Sequence, residues 1–348
     1  MKHNGPLGAL ATAILASVTL IGCAGCSGLP ALPEMVEGDW TPPILQGIQA
    51  TGETEVLLNF NEEVRLSSMR FEPASVTVSQ SRWDEERSSL AVALTDPLEA
   101  GKEYGIDAEV SDTAGNLSSF VATFYGLNPD LPPVLINEVV CEGSSSHPDW
   151  VELRVFREGL LGGLTLYEGG PGVWDSRFVF PQIHVSADDY VVVHFKPEGI
   201  PEEVSETDDP AASGGHDVHP ESWDVWVTGG DGIPNSTGGL TLTAWPGGPV
   251  VDAFLYTTKH YDADVDLRGF GLASQLEIFE DIVTRGGWQI AGTFVVPDDG
   301  FNPEDSTATR SINRSAEATD TDSAADWHIA PTSGATPGSE NTNQRYEP

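Results

Sequence analysis

Cysteine is scarce in this 348-residue chain, with only Cys23, Cys26 and Cys141 present. The first two form a C-x-x-C, but no strand–helix–strand pattern surrounds them, so their place behind an apolar run argues against a redox or metal pair. A bridge from Cys26 to Cys141 would tie the start of the chain to a distant domain. No disulfide is expected, and stability must come from hydrophobic cores. Lysine is nearly as rare: Lys2, Lys102, Lys196 and Lys259 are all there are. Sixteen basic residues stand against 54 acidic ones, a formal net charge of −38. Phosphate neutralisation needs a basic patch, so nucleic acid is excluded as a partner. Adsorption to anionic lipid heads is disfavoured on the same ground. The acidity fits a solvated surface in a salt-adapted cell, cation binding, or a basic partner. Recognised catalytic signatures are missing too: there is no G-x-S-x-G elbow, H-E-x-x-H, P-loop or G-x-G-x-x-G, and no enzyme is expected.

Long apolar runs are absent except at the start. Met1, Lys2 and His3 precede an uncharged stretch, Leu7–Gly22, that falls short of the ~20 residues needed to span a bilayer and has the layout of a secretory signal. It ends in Leu20-Ile21-Gly22-Cys23, which resembles the lipobox of bacterial lipoproteins. The resemblance implies removal of residues 1–22 and acylation of Cys23. Loss of Lys2 then leaves a side-chain charge of about −39. Each buried acyl methylene contributes about 0.8 kcal/mol, so several chains on one cysteine hold a protein firmly. The expectation is an exported protein, anchored rather than spanning, facing periplasm or cell exterior, with residues 23–42 as a Gly-, Pro- and acid-containing tether.

Residues 43–127 read as a first β block. Short alternating runs recur between turn signals: 44–50, 55–60, 75–79, 90–94, 104–110 and 119–124. Six or seven strands in ~80 residues indicate a sandwich. Leu98 and Gly101 ahead of a strand-initiating Tyr104 match a tyrosine corner. With Phe60-Asn-Glu-Glu-Val64 and Asp112-Thr-Ala-Gly115-Asn116, the block resembles bacterial Ig-like domains of the SbsA type. Asp112 and Asn116 suit either a hairpin turn or a cation, and the turn is the simpler reading.

A Pro-bounded joint, 128–133, leads to a second block, 134–338. It opens with Ile136-Asn137-Glu138-Val139, followed by Trp150-Val151-Glu152-Leu153. Ala187–Val193, Asn235–Leu242, Val251-Asp252 with Tyr256, Trp327 and Thr336-Pro337-Gly338 through Asn341 follow in order. This ordered set resembles a lamin-tail domain, and the resemblance implies an Ig-like sandwich that mediates contacts. The segment 154–166 departs from the family pattern. Two insertions enlarge the block, an acidic surface loop at 196–222 and a longer segment at 257–305. Within the latter, Ser274-Gln-Leu276-Glu277 reads as a capping box, and Leu276, Phe279, Ile282 and Val283 lie at helical spacing. A helix over 275–285 should pack that stripe on the sandwich. The polar tail, 339–348, reads as disordered.

The fold class is therefore all-β, two Ig-like sandwiches in tandem, the second carrying insertions and one short helix. Candidate chemistry is sparse. Glu138 and Glu152 are paired carboxylates of the kind glycosidases use, yet both sit inside strand motifs. His216-Asp217-Val218-His219 offers metal ligands, with His194 or His260 as further donors. Asp262, Asp264 and Asp266 begin like a calcium loop, but Leu267 stands where that loop needs glycine. Trp223, Trp226 and Trp245 are candidates for a sugar-binding surface, against the commoner role of core residues. The expected function is a lipid-anchored, non-enzymatic scaffold or binding module for an envelope or extracellular protein or polysaccharide. A calcium-stabilised surface spacer and an extracellular hydrolase or its accessory subunit are the alternatives.

Overall fold

Short apolar runs set between turns build the first sandwich. The computed structural model describes residues 39–348. The expected signal segment, Cys23, Cys26 and most of the expected 23–42 tether lie outside the described residues, and Thr41–Pro348 form one compact unit. The strands are β1 (Leu45–Gly52), β2 (Glu55–Phe60), β3 (Val64–Glu72), β4 (Val78–Asp84), β5 (Ser89–Leu94), β6 (Glu103–Asp112) and β7 (Leu117–Tyr125). Sheet β1-β2-β5-β4 packs on sheet β3-β6-β7, every pairing antiparallel. In β6, Tyr104, Ile106, Ala108 and Val110 are buried at every second position, the period of two that a pleated strand imposes. Tyr104 stacks on Phe124 at 5.6 Å, and its hydroxyl accepts the Glu99 N–H at 2.9 Å, closing the expected corner. Asp112 Oδ1 accepts the N–H groups of Gly115 and Asn116 at 2.6 and 2.8 Å, with Gly115 at φ +95°.

The expected strand at 75–79 is displaced to β4, and β3 is a strand that the sequence pattern does not announce. Both are edge strands whose exposed faces carry serine, arginine and glutamine, and each contains a bulge that breaks the alternation.

The second sandwich comprises β8 (Val134–Val140), β9 (Trp150–Val155), β10 (Gly159–Leu160), β11 (Thr165–Gly170), β12 (Val173–Val179), β13 (His184–Val185), β14 (Tyr190–His194), β15 (Trp223–Trp226), β16 (Thr237–Thr243), β17 (Val250–Thr257), α1 (Ala273–Thr284), β18 (Ile312–Arg314) and β19 (Trp327–Ile329). Sheet β15-β14-β9-β8-β18-β19 faces sheet β12-β11-β16-β17, with β10-β13 as a small pair. Leu153, Val193 and Ile312 from one sheet meet Leu166, Leu240 and Phe254 from the other in a continuous core. Strand β15 runs parallel to β14. A parallel neighbour requires a crossover rather than a tight turn, and the 196–222 insertion supplies it. That segment is not merely a surface loop: Glu206 within it is buried and accepts the Asp224 and Ser213 N–H groups at 2.6 and 2.7 Å.

Helix α1 starts two residues earlier than expected. Leu272 occupies the N-cap in extended conformation without a side-chain cap bond, so Ser274 falls inside the first turn and the expected capping box does not form. The stripe packs as expected, with Phe279 and Ile282 fully buried and Leu276 and Val283 against the same core. Each fully buried side chain of this size contributes about 1.5–3 kcal/mol. Gly239 in β16 admits the helix: a Cβ there would come within 2.8 Å of Ile282 and 2.9 Å of Ile278.

Two further contacts bear on the joint and the tail. Asn128 Nδ2 donates to the carbonyls of Leu160 and Gly162, at 2.6 and 3.0 Å, and Gln182 Nε2 donates to the Ala100 carbonyl. The tail after Pro337 is ordered, contrary to expectation. Asn341 is buried, Tyr346 N–H reaches the Ile329 carbonyl at 2.8 Å, and the Arg310 guanidinium lies 4.2 Å from the Tyr346 ring centroid. These partners are remote in sequence, so local polarity alone could not reveal the docking.

Candidate functional site

A bulge in β8 brings the polar motif residues together. It falls between Ile136 and Glu138. Val134 and Ile136 before it, and Val139 and Cys141 after it, all enter the core. Glu138 and Val140 are thereby turned to the opposite face, where Val140, Trp150 and Val192 pack against Ala335 of the C-terminal segment. Glu138 pairs directly with Glu152 of β9, and both are 0% exposed.

The same C-terminal segment supplies their hydrogen-bond donors. Thr336 donates its N–H to Glu138 Oε1 at 3.0 Å and its hydroxyl to Oε2 at 2.8 Å. Gly338 N–H donates to Glu152 Oε2 at 2.6 Å, and Asn137 Nδ2 to Glu152 Oε1 at 2.7 Å. Asn341 Nδ2 donates to the carbonyls of Asn137 and Arg314, both at 2.8 Å. The sequence motifs around Asn137, Glu138, Glu152 and Asn341 thus converge at one place, as a clasp for the segment 335–341. Burial pushes the Glu138 carboxyl up to about 7 against the Thr336 and Ser311 hydrogen bonds. Glu152 is pushed well above its ordinary range by burial first and the neighbouring Glu138 second.

A second buried network lies beside the first. Arg314, 1% exposed, forks onto Asp252 at 2.9 and 3.1 Å, reaches Asp320 at 3.0 Å, and donates through Nε to the Ile136 carbonyl at 2.9 Å. Asp252 in turn accepts the Ile136 N–H at 2.7 Å. The Trp327 ring lies 4.6 Å from the guanidinium carbon. Burial pushes Asp252 up to about 7, and the guanidinium opposes that shift. Asp252, Asp320 and Asp322 bring carboxylate oxygens within 4.8 Å of one another, but Arg314 already occupies Asp252 and Asp320. Asp252 and Trp327 were singled out in the sequence; Arg314 was not. Its signal was an arginine directly after Ile312-Asn313 in a chain with few basic residues.

The histidine and aspartate candidates are dispersed among separate partners. His147 Nδ1 and Asp217 Oδ1 lie 2.7 Å apart, His216 lies 3.4 Å from Glu198, and His260 lies 3.0 Å from Asp298. His219 accepts the Glu221 N–H on Nδ1. His194 is buried against Asp224 at 2.7 Å and stacks on Trp226 at 4.0 Å. Asp262 accepts the Asp264 N–H at 2.9 Å, and the run bends away through Leu267 and Arg268, both at positive φ. Trp226 is a buried ring, and Trp223 is half-buried, packed against the core and donating to Asp189 at 3.1 Å. Tyr256 is buried with its hydroxyl on the Pro234 carbonyl at 2.6 Å. Burial pushes the Cys141 thiol up to about 12, which makes it a packing group rather than a nucleophile.

The fold and these networks define an all-β protein of tandem sandwiches whose second sandwich is clasped by the segment 335–341. The family described as "TP_1001_2nd: protein second domain" matches residues 132–329, more than half of the chain, and the chain belongs to that family. An uncharacterized protein of Treponema pallidum (strain Nichols) is 24% identical over 207 residues, covering 59% of this chain and 52% of that protein. The chain thus spans about half the length of that relative. Among solved structures, the N-terminal part of the bacterial S-layer protein SbsC overlaps 37% of this chain and 35% of its own, at 16% identity and a TM-score of 0.25. The S-layer protein rSbsC(31-844) overlaps 59% and 39%, at 14% identity and a TM-score of 0.22.

Proposed function

We propose that the chain is a lipid-anchored cell-envelope protein that acts as a non-enzymatic scaffold or binding module, its second sandwich being lamin-tail-like. One observation carries the non-enzymatic part. The carboxylate pair best suited to acid–base chemistry, Glu138 and Glu152, is sealed from solvent and engaged by the C-terminal segment. A general acid or base must reach its substrate within hydrogen-bond distance, and a fully buried pair does not. The apolar run ending at Cys23 supports the anchor, and the acidity of the chain suits a solvated exterior.

Metabolic labelling with an alkyne fatty acid, followed by cell fractionation, tests the anchor. Wild-type protein should carry label and sediment with membranes, and Cys23→Ala should lose both. Label retained in Cys23→Ala would overturn it. For the non-enzymatic part, Glu138→Gln and Glu152→Gln should leave any hydrolysis measured with the folded protein unchanged; selective loss of a measured activity would overturn it.

A further inference from the structure

The two sandwiches enclose a cleft of about 610 Å³. Its wall on the second sandwich is aromatic. Tyr167 and Trp174 stand with ring centroids 6.1 Å apart, and the Arg177 guanidinium lies 5.0 Å from the Trp174 centroid. Trp245 faces the same space from the Trp245-Pro-Gly-Gly-Pro249 turn. These rings are held in place. Tyr167 Oη accepts the Gly247 N–H at 2.8 Å, Gly247 has φ +73°, and a Cβ on Gly248 would come within 2.7 Å of the Trp245 ring. Trp174 nonetheless keeps 43% of its surface exposed, unusual for a large aromatic side chain in a well-packed sandwich. The first sandwich supplies the polar side, where Tyr125 Oη donates to Glu103 Oε2 at 2.6 Å.

We infer that this cleft binds a neutral glycan chain, which rests on the binding-module reading above and names its ligand class. Trp174 and Trp245, rigid and partly exposed, stack on the apolar C–H faces of sugar units with the buried Tyr167 ring behind them, and the polar side meets their hydroxyls. In a chain of net charge −38 the cleft is close to neutral, with Glu103 as its one carboxylate and Arg177 as its one cation among the described lining residues. That balance favours an uncharged ligand over an acidic or basic one. A carboxylate is acceptor-only with about four lone-pair sites, so Glu103 needs donors beyond Tyr125 once water is displaced. Sugar hydroxyls provide them, whereas a proline-rich peptide, the other ligand of aromatic grooves, brings few or none. Of Trp223, Trp226 and Trp245, only Trp245 lines this cleft, with Trp174 as its sugar-facing neighbour and Tyr167 as the buried support behind them.

The test is titration calorimetry on the full mature chain in detergent, with cellotetraose and tetra-N-acetylchitotetraose as probes and decaproline as comparison. Saturable binding of at least one tetrasaccharide is expected. Trp174→Ala and Trp245→Ala should each weaken it about tenfold or more, and Glu103→Gln should weaken it less. Circular dichroism on each variant keeps a folding defect distinguishable; Trp174, being exposed, should leave the melting curve in place. Binding of neither sugar, binding indifferent to Trp174→Ala, or binding of decaproline alone would overturn the inference. Failure here with Cys23-dependent membrane anchoring intact would leave the envelope reading standing. Release of new reducing ends from either sugar would overturn the non-enzymatic reading instead.

Discussion

Glu138 and Glu152 face one another across the antiparallel pair β8–β9, each fully buried and each bonded to the backbone of the same C-terminal segment. Two like charges in one apolar site cannot both ionise cheaply. The pair is therefore a clasp whose strength depends on protonation.

A pH dependence of stability follows. Burial raises Glu138 from the ordinary 4.5 to about 7 in the folded protein. A raised folded-state value means the folded state holds the proton more tightly than the unfolded chain. Its contribution is complete below pH 4.5 and is lost as pH rises through about 7, a span worth on the order of 3 kcal/mol. Glu138→Gln removes this titration while keeping an oxygen for Thr336. Urea unfolding at pH 5 and pH 8 should show the variant gaining on wild type at the higher pH. Parallel stability curves would contradict the account.

Arg314 holds the second network, and its loss should be severe. Arg314→Met leaves Asp252 buried without a counter-charge, which costs about 3–5 kcal/mol. Arg314→Lys should recover only part of that, because a single ammonium cannot reproduce the two-pronged contact at 2.9 and 3.1 Å. Equilibrium unfolding of both variants checks the order; a lysine variant as stable as wild type would contradict it.

The ordered tail makes a contrast between neighbours. Asn341→Ala leaves the Asn137 and Arg314 carbonyls without their buried donor and should cost about 2–4 kcal/mol. Asn343, two residues on, is exposed, and Asn343→Ala should cost about 1 kcal/mol or less. Equal effects in chemical unfolding would place the tail outside the folded unit.

Arg314 also bears on calcium. Because its guanidinium already bridges Asp252 and Asp320, the clustered acids there have their cation. At fixed ionic strength, a chelator should move the melting temperature by about 1 °C or less, since site-specific stabilisation requires binding to the folded state. A drop of several degrees on chelation, restored by calcium, would favour the calcium-stabilised spacer.

Much of this architecture was legible because its signals are local. Alternation announced β2, β5 and β6, the Tyr104 corner bond formed as its spacing implied, and the 276–283 stripe located α1. Edge strands β3 and β4 were obscured, since their polar faces and bulges erase the alternation that a buried strand must show. Asn137, Glu138 and Glu152 were visible as motif members, but their convergence with Thr336 and Gly338 depends on partners nearly 200 residues away in sequence. Arg314 and the Trp174–Arg177 wall carried no recognisable spacing at all. The cleft exists only because two sandwiches meet, which no single segment encodes.

Amide hydrogen exchange at Thr336 and Gly338 tests the clasp most directly. Both N–H groups donate to buried carboxylates, so they should exchange as slowly as the amides of β8, and Gly338 should exchange faster in Glu152→Ala, which removes its acceptor. Exchange of both within seconds in the wild-type protein, at the rate of an open loop, would contradict the account: the pair would then be accessible to solvent, and an acid–base role for Glu138 and Glu152 would have to be considered again.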